Sequence, residues 1–447
     1  MDVMQKQKEL ADAGVKYAVS GYIDMHGALK GKIVPLAHFH AMMGGSELYT
    51  GAALDGLPQD VSDEEVSSHP DIEGGFVLPW RRDTAFFPSN LYCHGKPFPA
   101  CSRNVLKRQT DAAAALGFKL NLGVETEFYV LDECETGAET VSDRDVLAKP
   151  CYDLRTATDN FDWLTELVDA MNELGWDVYS FDHEDARGQF EIDWMYDECT
   201  TISDRVCFFR YMAGEIARKH GHFASFMPKP FANRTGSGAH MNMSLANVET
   251  DENLFKPHGD DVKGVGLSQL GYWFTAGVLK HAKAICAVIA PTVNSYKRLV
   301  RQGSTSGSTW APVFISYGNN NRTNMMRVPL AGGRVECRAA DIAFNPYLAT
   351  AMMLAAGLEG IEQKLDPGAP HTDNLHKYTE ADIAESGIEL LPRSLDEAVD
   401  AFEADPLSRA VFGDELFAEW VRMKRLECEE YHFNISPWEI DRYLKFF

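Results

Sequence analysis

Apolar and polar residues alternate with period two in several stretches, and side chains at i and i+2 of a strand share a face. In Leu120–Val130 the apolar set is Leu120, Leu122, Val124, Phe128 and Val130, while Asn121, Gly123, Glu125 and Glu127 point the other way. In Trp176–Glu184, Asp182 and Glu184 oppose Phe181. After Gly188, which permits a turn, Gln189, Glu191 and Asp193 oppose Phe190, Ile192 and Trp194, so the turn brings Glu184 near Glu191. In Gly236–Leu245, His240, Asn242 and Ser244 oppose Ala239, Met241 and Met243, and in Arg334–Arg338 the charged residues Arg334, Glu336 and Arg338 alternate with Val335 and Cys337. Each segment predicts a strand with one polar face.

Helical signals lie elsewhere. The pattern predicts a helix over residues 1–20 ending at Gly21, then strands at Tyr22–Met25 and Lys32–Pro35 joined by His26–Gly31. Residues 40–75, rich in Gly, Asp and Ser, read as a long loop. The Pro-containing stretch Pro88–Pro99 closes the first part; a helix follows, with Ser102 as its N-cap, so a domain boundary is placed near residue 100. This gives a domain over 1–100 and a second over 101–447. From Ser394 onward the chain reads as largely helical, with Leu395, Ala398, Val399 and Phe402 at helical spacing.

Composition narrows the classes. With 447 residues, 45% of them hydrophobic and 24% charged, the chain can bury a core without disulfide or metal staples. Its net charge, 42 − 66 = −24, opposes non-specific binding to nucleic acid. Nine cysteines without a Cys-x-x-Cys pair, a polar first segment and no long apolar run predict a cytoplasmic protein that binds neither nucleic acid nor membrane.

Taken singly, each polar face could be a solvated sheet surface. Together they supply Glu125, Glu127, Glu184, Glu191, His240 and Glu336, a donor set suited to Mg²⁺ or Mn²⁺. The chain between them adds Arg298, Arg322 and Arg327, whose guanidinium forks fit phosphate and carboxylate. Divalent ions with arginines suggest phosphoryl transfer. Neither a Gly-x-x-x-x-Gly-Lys-Ser/Thr loop nor a Gly-x-Gly-x-x-Gly motif is found.

Six motifs, in order, resemble the glutamine synthetase superfamily over nearly the whole chain: Gly123-Val-Glu-Thr-Glu-Phe, His183 to Glu191, Gly236-Ser-Gly-Ala-His240, Asn294-Ser-Tyr-Lys-Arg298, Asn321-Arg322, and Arg334-Val-Glu-Cys-Arg338 followed by Asn345-Pro-Tyr. The resemblance implies an α+β fold: a small N-terminal β-grasp domain, then a catalytic domain with a curved antiparallel sheet flanked by helices. It implies a homo-oligomer, a dodecamer of two stacked hexameric rings, with each active site shared between neighbours. Glu127, Glu184 and Glu191 match ligands of a first metal; Glu125, His240 and Glu336 match those of a second, with two or three Mg²⁺ or Mn²⁺ ions per site. Arg298, Arg338, Gly236 and Thr235 match glutamate contacts, and Arg322 matches the arginine on the transferred phosphate. Arg327, Arg334, Ser244 and Tyr196 match the ATP site, with Asn242 on the same strand face. The implied reaction has two steps: glutamate attacks ATP to give γ-glutamyl phosphate, and an amine then displaces phosphate.

Departures from the family pattern concern the amine. Where glutamine synthetases carry an ammonium-binding aspartate, this chain has Thr50-Gly-Ala-Ala53, with Asp55 the nearest carboxylate. Where they carry a flap glutamate before Ala-Pro, it has Trp310, and an asparagine before the Gly-Ser-Gly is Thr235. Lost negative charge and an added π face suit an alkylated ammonium better than a bare one. The flap resembles the γ-glutamylmethylamide synthetase branch, which couples methylamine to glutamate. The alternatives are a glutamine synthetase using ammonia, with Glu184, Tyr152 or Asp55 covering the lost roles; a ligase for another amine; or a non-catalytic ring. Glu184 is the first candidate to deprotonate the amine and Asp55 of a neighbour the second. His376 stands where many bacterial members carry an adenylylated tyrosine, so that control is not expected.

Overall fold

The structure is a computed structural model that describes residues 2–135, 137–259, 261–301 and 311–447. Two sheets organise an α+β fold. The first has seven strands and lies within residues 17–97. Its path runs Leu29–Pro35, Tyr17–Ile23, Arg81–Cys93, Val66–Pro70, Glu47–Tyr49, with Tyr17–Ile23 and Arg81–Cys93 parallel and every other pair antiparallel.

Three local expectations are corrected here. The first helix is only Val3–Asp12; Gly14, at φ +84°, breaks it, and the alternating burial of Tyr17–Ile23 makes that stretch a strand. Gly21 is a mid-strand residue, not a helix end: a Cβ there would lie 2.3 Å from the Phe86 ring, so only glycine fits. Residues 40–75 are not one loop, because they hold most of the helix Phe39–Met43 and the strands Glu47–Tyr49 and Val66–Pro70; the stretch 54–65 remains irregular. Third, the helix Ser102–Ala115 has Cys101 at its N-cap. The Ser102 hydroxyl instead donates to the Asp24 carbonyl, 3.3 Å away, across to the first sheet.

The second sheet has eleven strands. Its path runs Val178–His183, Gln189–Trp194, Phe118–Cys134, Ala239–Asn247, Val335–Cys337, Asn324–Val328, Phe314–Asn319, Glu389–Leu390. Along it only Phe314–Asn319 and Asn324–Val328 pair in parallel. The apolar face rests on helices. Phe128 packs against Trp163, Phe209 and Phe226, joining the long central strand to the helices Phe161–Glu173 and Cys199–Lys219. Helix Pro346–Gln363 is buried through most of its length because it is apolar all round. The expected face at Leu395, Ala398, Val399 and Phe402 is buried on the helix Leu395–Ala404. All nine cysteines are free, and no helix among the described residues is long and apolar enough to cross a membrane.

Asn345 joins the sheets. Its Oδ1 accepts from the Tyr347 and Leu348 amides, capping helix Pro346–Gln363. Its Nδ2 reaches the Asp24 carbonyl at 2.9 Å, the Met25 carbonyl at 3.3 Å and Ser102 Oγ at 2.9 Å. Replacing Asn345 by Ala removes a cap and leaves a buried carbonyl of the first sheet short of a donor. The expected loss of stability is about 2–3 kcal/mol, read as a lower urea midpoint at unchanged slope.

Candidate active site

Strand register assembles the site. His240 lies opposite Glu125, Glu191 opposite Glu127, Asp182 opposite Glu191, Asn242 opposite Glu336 and Arg327 opposite Glu336. The polar faces read from the sequence therefore form one surface across six strands. Of these residues, Glu125, Glu127, Glu191, His240 and Arg327 line a cavity of about 600 Å³, and Glu336 is buried behind them.

Two three-residue clusters stand side by side. Ligand atoms of Glu127, Glu184 and Glu191 all lie within 4.8 Å of one another, and so do those of Glu125, His240 and Glu336. Glu184 reaches the first cluster because its amide donates to the Gln189 carbonyl at 2.9 Å, closing the hairpin through Gly188. His240 joins the clusters: Nδ1 is 2.8 Å from Glu125 Oε2 and Nε2 is 3.7 Å from Glu127 Oε1.

The clusters differ electrostatically. Burial pushes Glu125 up, but His240, Asn242 and Arg338 outweigh it and hold the carboxylate down at about 2. Glu336, fully buried, accepts from Arg327 Nη1 at 2.5 Å and from Arg338. The first cluster has no such support. Glu127 accepts from the Gly238 amide at 2.7 Å, but burial and the Glu127 charge push Glu184 up to about 8. Glu191 rises well above the carboxylate range through burial and the charges of Glu127, Asp193 and Glu184. Three carboxylates whose ligand atoms lie within 4.8 Å of one another form an all-oxygen donor set, which fits a hard divalent ion. The second cluster offers two carboxylates and one imidazole to another.

Around the clusters the cavity wall holds Tyr152, Thr235, Gly236 and the four arginines Arg298, Arg322, Arg327 and Arg338. Arg298 is fixed by bonds of 3.0 Å from its two Nη atoms to the Ala339 and Arg338 carbonyls. Tyr152 adopts φ +64°, and its side chain is 71% exposed at the mouth. Beyond the wall, Asn242 donates to Glu125 at 2.9 Å and accepts from Arg334 Nε at 3.0 Å. Ser244 is buried one strand pair further on, opposite Asn121. Tyr196 is exposed beside Gly123, where a Cβ would come within 3.3 Å of it.

Two expected residues are not brought into this cavity. Asp55 is exposed on the irregular stretch of the first domain and is absent from the wall of its own chain's cavity. Trp310 lies outside the described residues. On either side of that segment, His376 places its two ring nitrogens 3.2 Å from the Arg301 carbonyl and 2.9 Å from the Ala311 carbonyl.

Alternation placed Asp193 on the strand face of Glu191 but gave it no role in the site; it lines the cavity, where burial and Glu125 push it up to about 7. Sequence reasoning missed Lys229, Cys151 and Asp185, which also line the cavity. They sit on connections, where no periodicity marks which side chain faces a site.

Comparison with known proteins gives a consistent picture. Residues 99–443 match the family model "Glutamine synthetase, catalytic domain". The chain is 40% identical to the glutamate–methylamine ligase of Methyloversatilis universalis over 448 aligned residues, covering 100% of both chains. It is 38% identical to a glutamine synthetase of Rhizobium leguminosarum bv. phaseoli, covering 96% of this chain and 97% of the other. Its fold matches a solved structure of GmaS in complex with ADP at a TM-score of 0.91, with 36% identity and 99% of each chain covered. Ligand-free GmaS gives 0.89, at 35% identity over 98% of this chain and 99% of the other.

The crowding of the first cluster sets a pH dependence. Glu184 and Glu191 bind a proton more tightly folded than unfolded. Their contribution to stability is thus full below the ordinary value of 4.5 and is lost as pH rises through about 8 for Glu184. Chelator-treated protein is expected to gain more in melting temperature from added Mg²⁺ at pH 8 than at pH 6. In Glu191→Gln, the metal-free melting temperature should rise and the gain from Mg²⁺ should shrink. Calorimetric scans of both proteins at both pH values check this.

Proposed function

The chain belongs to the glutamine synthetase family, and we propose that within it the protein is the ATP-dependent ligase that joins glutamate to methylamine. The products are γ-glutamylmethylamide, ADP and phosphate. The observation that carries the reading is the pair of three-residue clusters and four arginines on one cavity, in a chain collinear with a glutamate–methylamine ligase.

Glu127, Glu184 and Glu191 would hold one divalent ion, Mg²⁺ or Mn²⁺, and Glu125, His240 and Glu336 another. Bound there, such ions supply positive charge to the triphosphate and the transferring group. Arg298 and Arg338 grip the glutamate carboxylates from beside Gly236 and Thr235, since a guanidinium fork matches a carboxylate in two-point geometry. Arg327 and Arg334 meet the nucleotide phosphates. Tyr196 flanks the base, with Asn242 and Ser244 on the same strand face.

A γ-carboxylate oxygen of glutamate attacks the γ-phosphorus of ATP; the bond from that phosphorus to the bridging oxygen breaks and ADP leaves. Arg322 neutralises the charge that spreads over the phosphoryl oxygens. The product, γ-glutamyl phosphate, is an activated acyl group. Methylamine nitrogen then attacks its carbonyl carbon, the bond to the phosphate oxygen breaks, and phosphate departs. Methylammonium must lose a proton to become a nucleophile, and Glu184, on the cavity wall within the first cluster, is the group we assign to take it.

The acceptor end distinguishes methylamine from ammonia. Tyr152 stands at the mouth, and Trp310 adds an indole face in sequence where the family has a carboxylate. An aromatic wall attracts a methylated cation and tolerates its carbon. Asp55, remote from its own cavity, reaches a neighbour's site in a ring of subunits. The exposed apolar C-terminal segment, with Phe433 at 78%, Trp438 at 61% and Phe447 at 94%, supports contacts between subunits in two stacked hexameric rings. Nine free thiols agree with a reducing cytoplasm.

Phosphate release with ATP, glutamate and Mg²⁺ is expected to show kcat/KM at least tenfold higher for methylamine than for ammonia, about 1.4 kcal/mol of transition-state preference. Preference for ammonia would make the protein a glutamine synthetase. In Trp310→Glu the ratio should move toward ammonia; an unchanged ratio would remove the indole from the explanation. Arg322→Ala is expected to lower kcat by about 10²–10³ with either amine.

A further inference from the structure

Behind the first cluster lies a buried polar pair that has no part in the chemistry above. His183 is 0% exposed and Asp145 4% exposed. His183 Nε2 is 2.9 Å from Asp145 Oδ2, and its Nδ1 is 2.8 Å from the carbonyl of the adjacent residue, Glu184. Oxygen atoms thus stand against both ring nitrogens, and the imidazole is held in one orientation.

The pair reaches further than a single contact. Asp145 Oδ2 also accepts from the Gly188 amide at 2.7 Å. Arg187 Nε donates to the Leu147 carbonyl at 3.0 Å, and the Tyr152 amide donates to the His183 carbonyl at 2.8 Å. Residues 145–152 thus brace the turn 184–188, which joins the strands carrying Glu184 and Glu191. The edge of the Phe190 ring closes over the imidazole at 5.3 Å. Asp145 Oδ1 is buried without a partner. A buried polar pair with an unpaired oxygen is a poor source of stability, and its placement points to another role.

We propose that Asp145 and His183 are positioning residues: together they fix the backbone of Glu184 and the Gly188 turn, and so set the affinity of the Glu127–Glu184–Glu191 cluster for a divalent ion. The proposal rests on the reading that this cluster holds such an ion. His183 acts through Glu184 and touches no substrate.

The test is Mn²⁺ binding to the full-length protein, followed by electron paramagnetic resonance, without ATP, glutamate or amine. Glu191→Gln and Glu336→Gln assign the two classes of site. Asp145→Asn and His183→Gln are expected to weaken Mn²⁺ at the class lost in Glu191→Gln by about 10–100-fold. The class lost in Glu336→Gln should stay within twofold. Equal weakening of both classes, or no change in either, would overturn the proposal. So would loss of the native circular dichroism in both variants, which would make the pair a folding requirement. Because no substrate is present, failure of the ligase reading would show in the turnover assay and not here.

Discussion

Mutual repulsion among carboxylates held on one sheet face is the constraint the rest of the structure answers. The register that pairs Glu191 with Glu127 and Asp182 with Glu191 places like charges opposite one another, an arrangement that destabilises an ordinary sheet. The protein offsets it unevenly. Arg327 and Arg338 close on Glu336, and His240 closes on Glu125. The first cluster receives backbone donors, a long 3.4 Å bond from Gln189 Nε2 to Glu127 and the distant edge of His240. The two halves therefore have different electrostatic needs. One is largely neutralised by the chain itself. The other is left poised for an external cation, and without one its acids shift toward protonation.

Such a face needs a rigid support, because small displacements change these interactions steeply. The opposite face supplies it. Alternate residues of Phe118–Cys134 sink into a core of aromatic side chains, and helix Pro346–Gln363 is buried along most of its length among the other helices. Asn345 starts that helix and also binds the Asp24 and Met25 carbonyls of the first sheet. Arg103, on the helix Ser102–Ala115, adds a second tie, pairing with Asp71 at 2.9 Å and with Asp204 at 3.0 Å. Moving one sheet against the other would strand these buried groups.

Part of the cavity wall is built differently, from connections instead of a sheet. Tyr152 stands in a left-handed conformation on a loop tied to the His183 carbonyl. His376 bridges the carbonyls of Arg301 and Ala311. Five of the six cluster residues thus sit on strands, whereas Glu184, Arg298, Arg322 and Tyr152 sit on connections. Connections change side chains without disturbing a ladder of backbone hydrogen bonds.

The alternation in the sequence was enough to identify Glu125, Glu127, Glu184, Glu191, His240 and Glu336 and to give each a strand face, because period-two patterning is a local property of the chain. It could also show that Gly188 turns Glu184 toward Glu191. It misjudged the first twenty residues, where Gly14 ends the helix early, and it blurred short elements in residues 40–75 whose partners are distant in sequence. Tertiary structure alone decided which strands pair and in what register, and so which acids share a cluster. It also decided that Arg327 and Arg338 turn inward to Glu336, that Asp55 lies away from its own chain's cavity, and that Asp145, thirty-eight residues from His183, closes behind it. The physical reason is that polarity along a strand is written in neighbouring residues. Proton affinity and charge pairing depend on distance through space, which exists only once the sheet has closed.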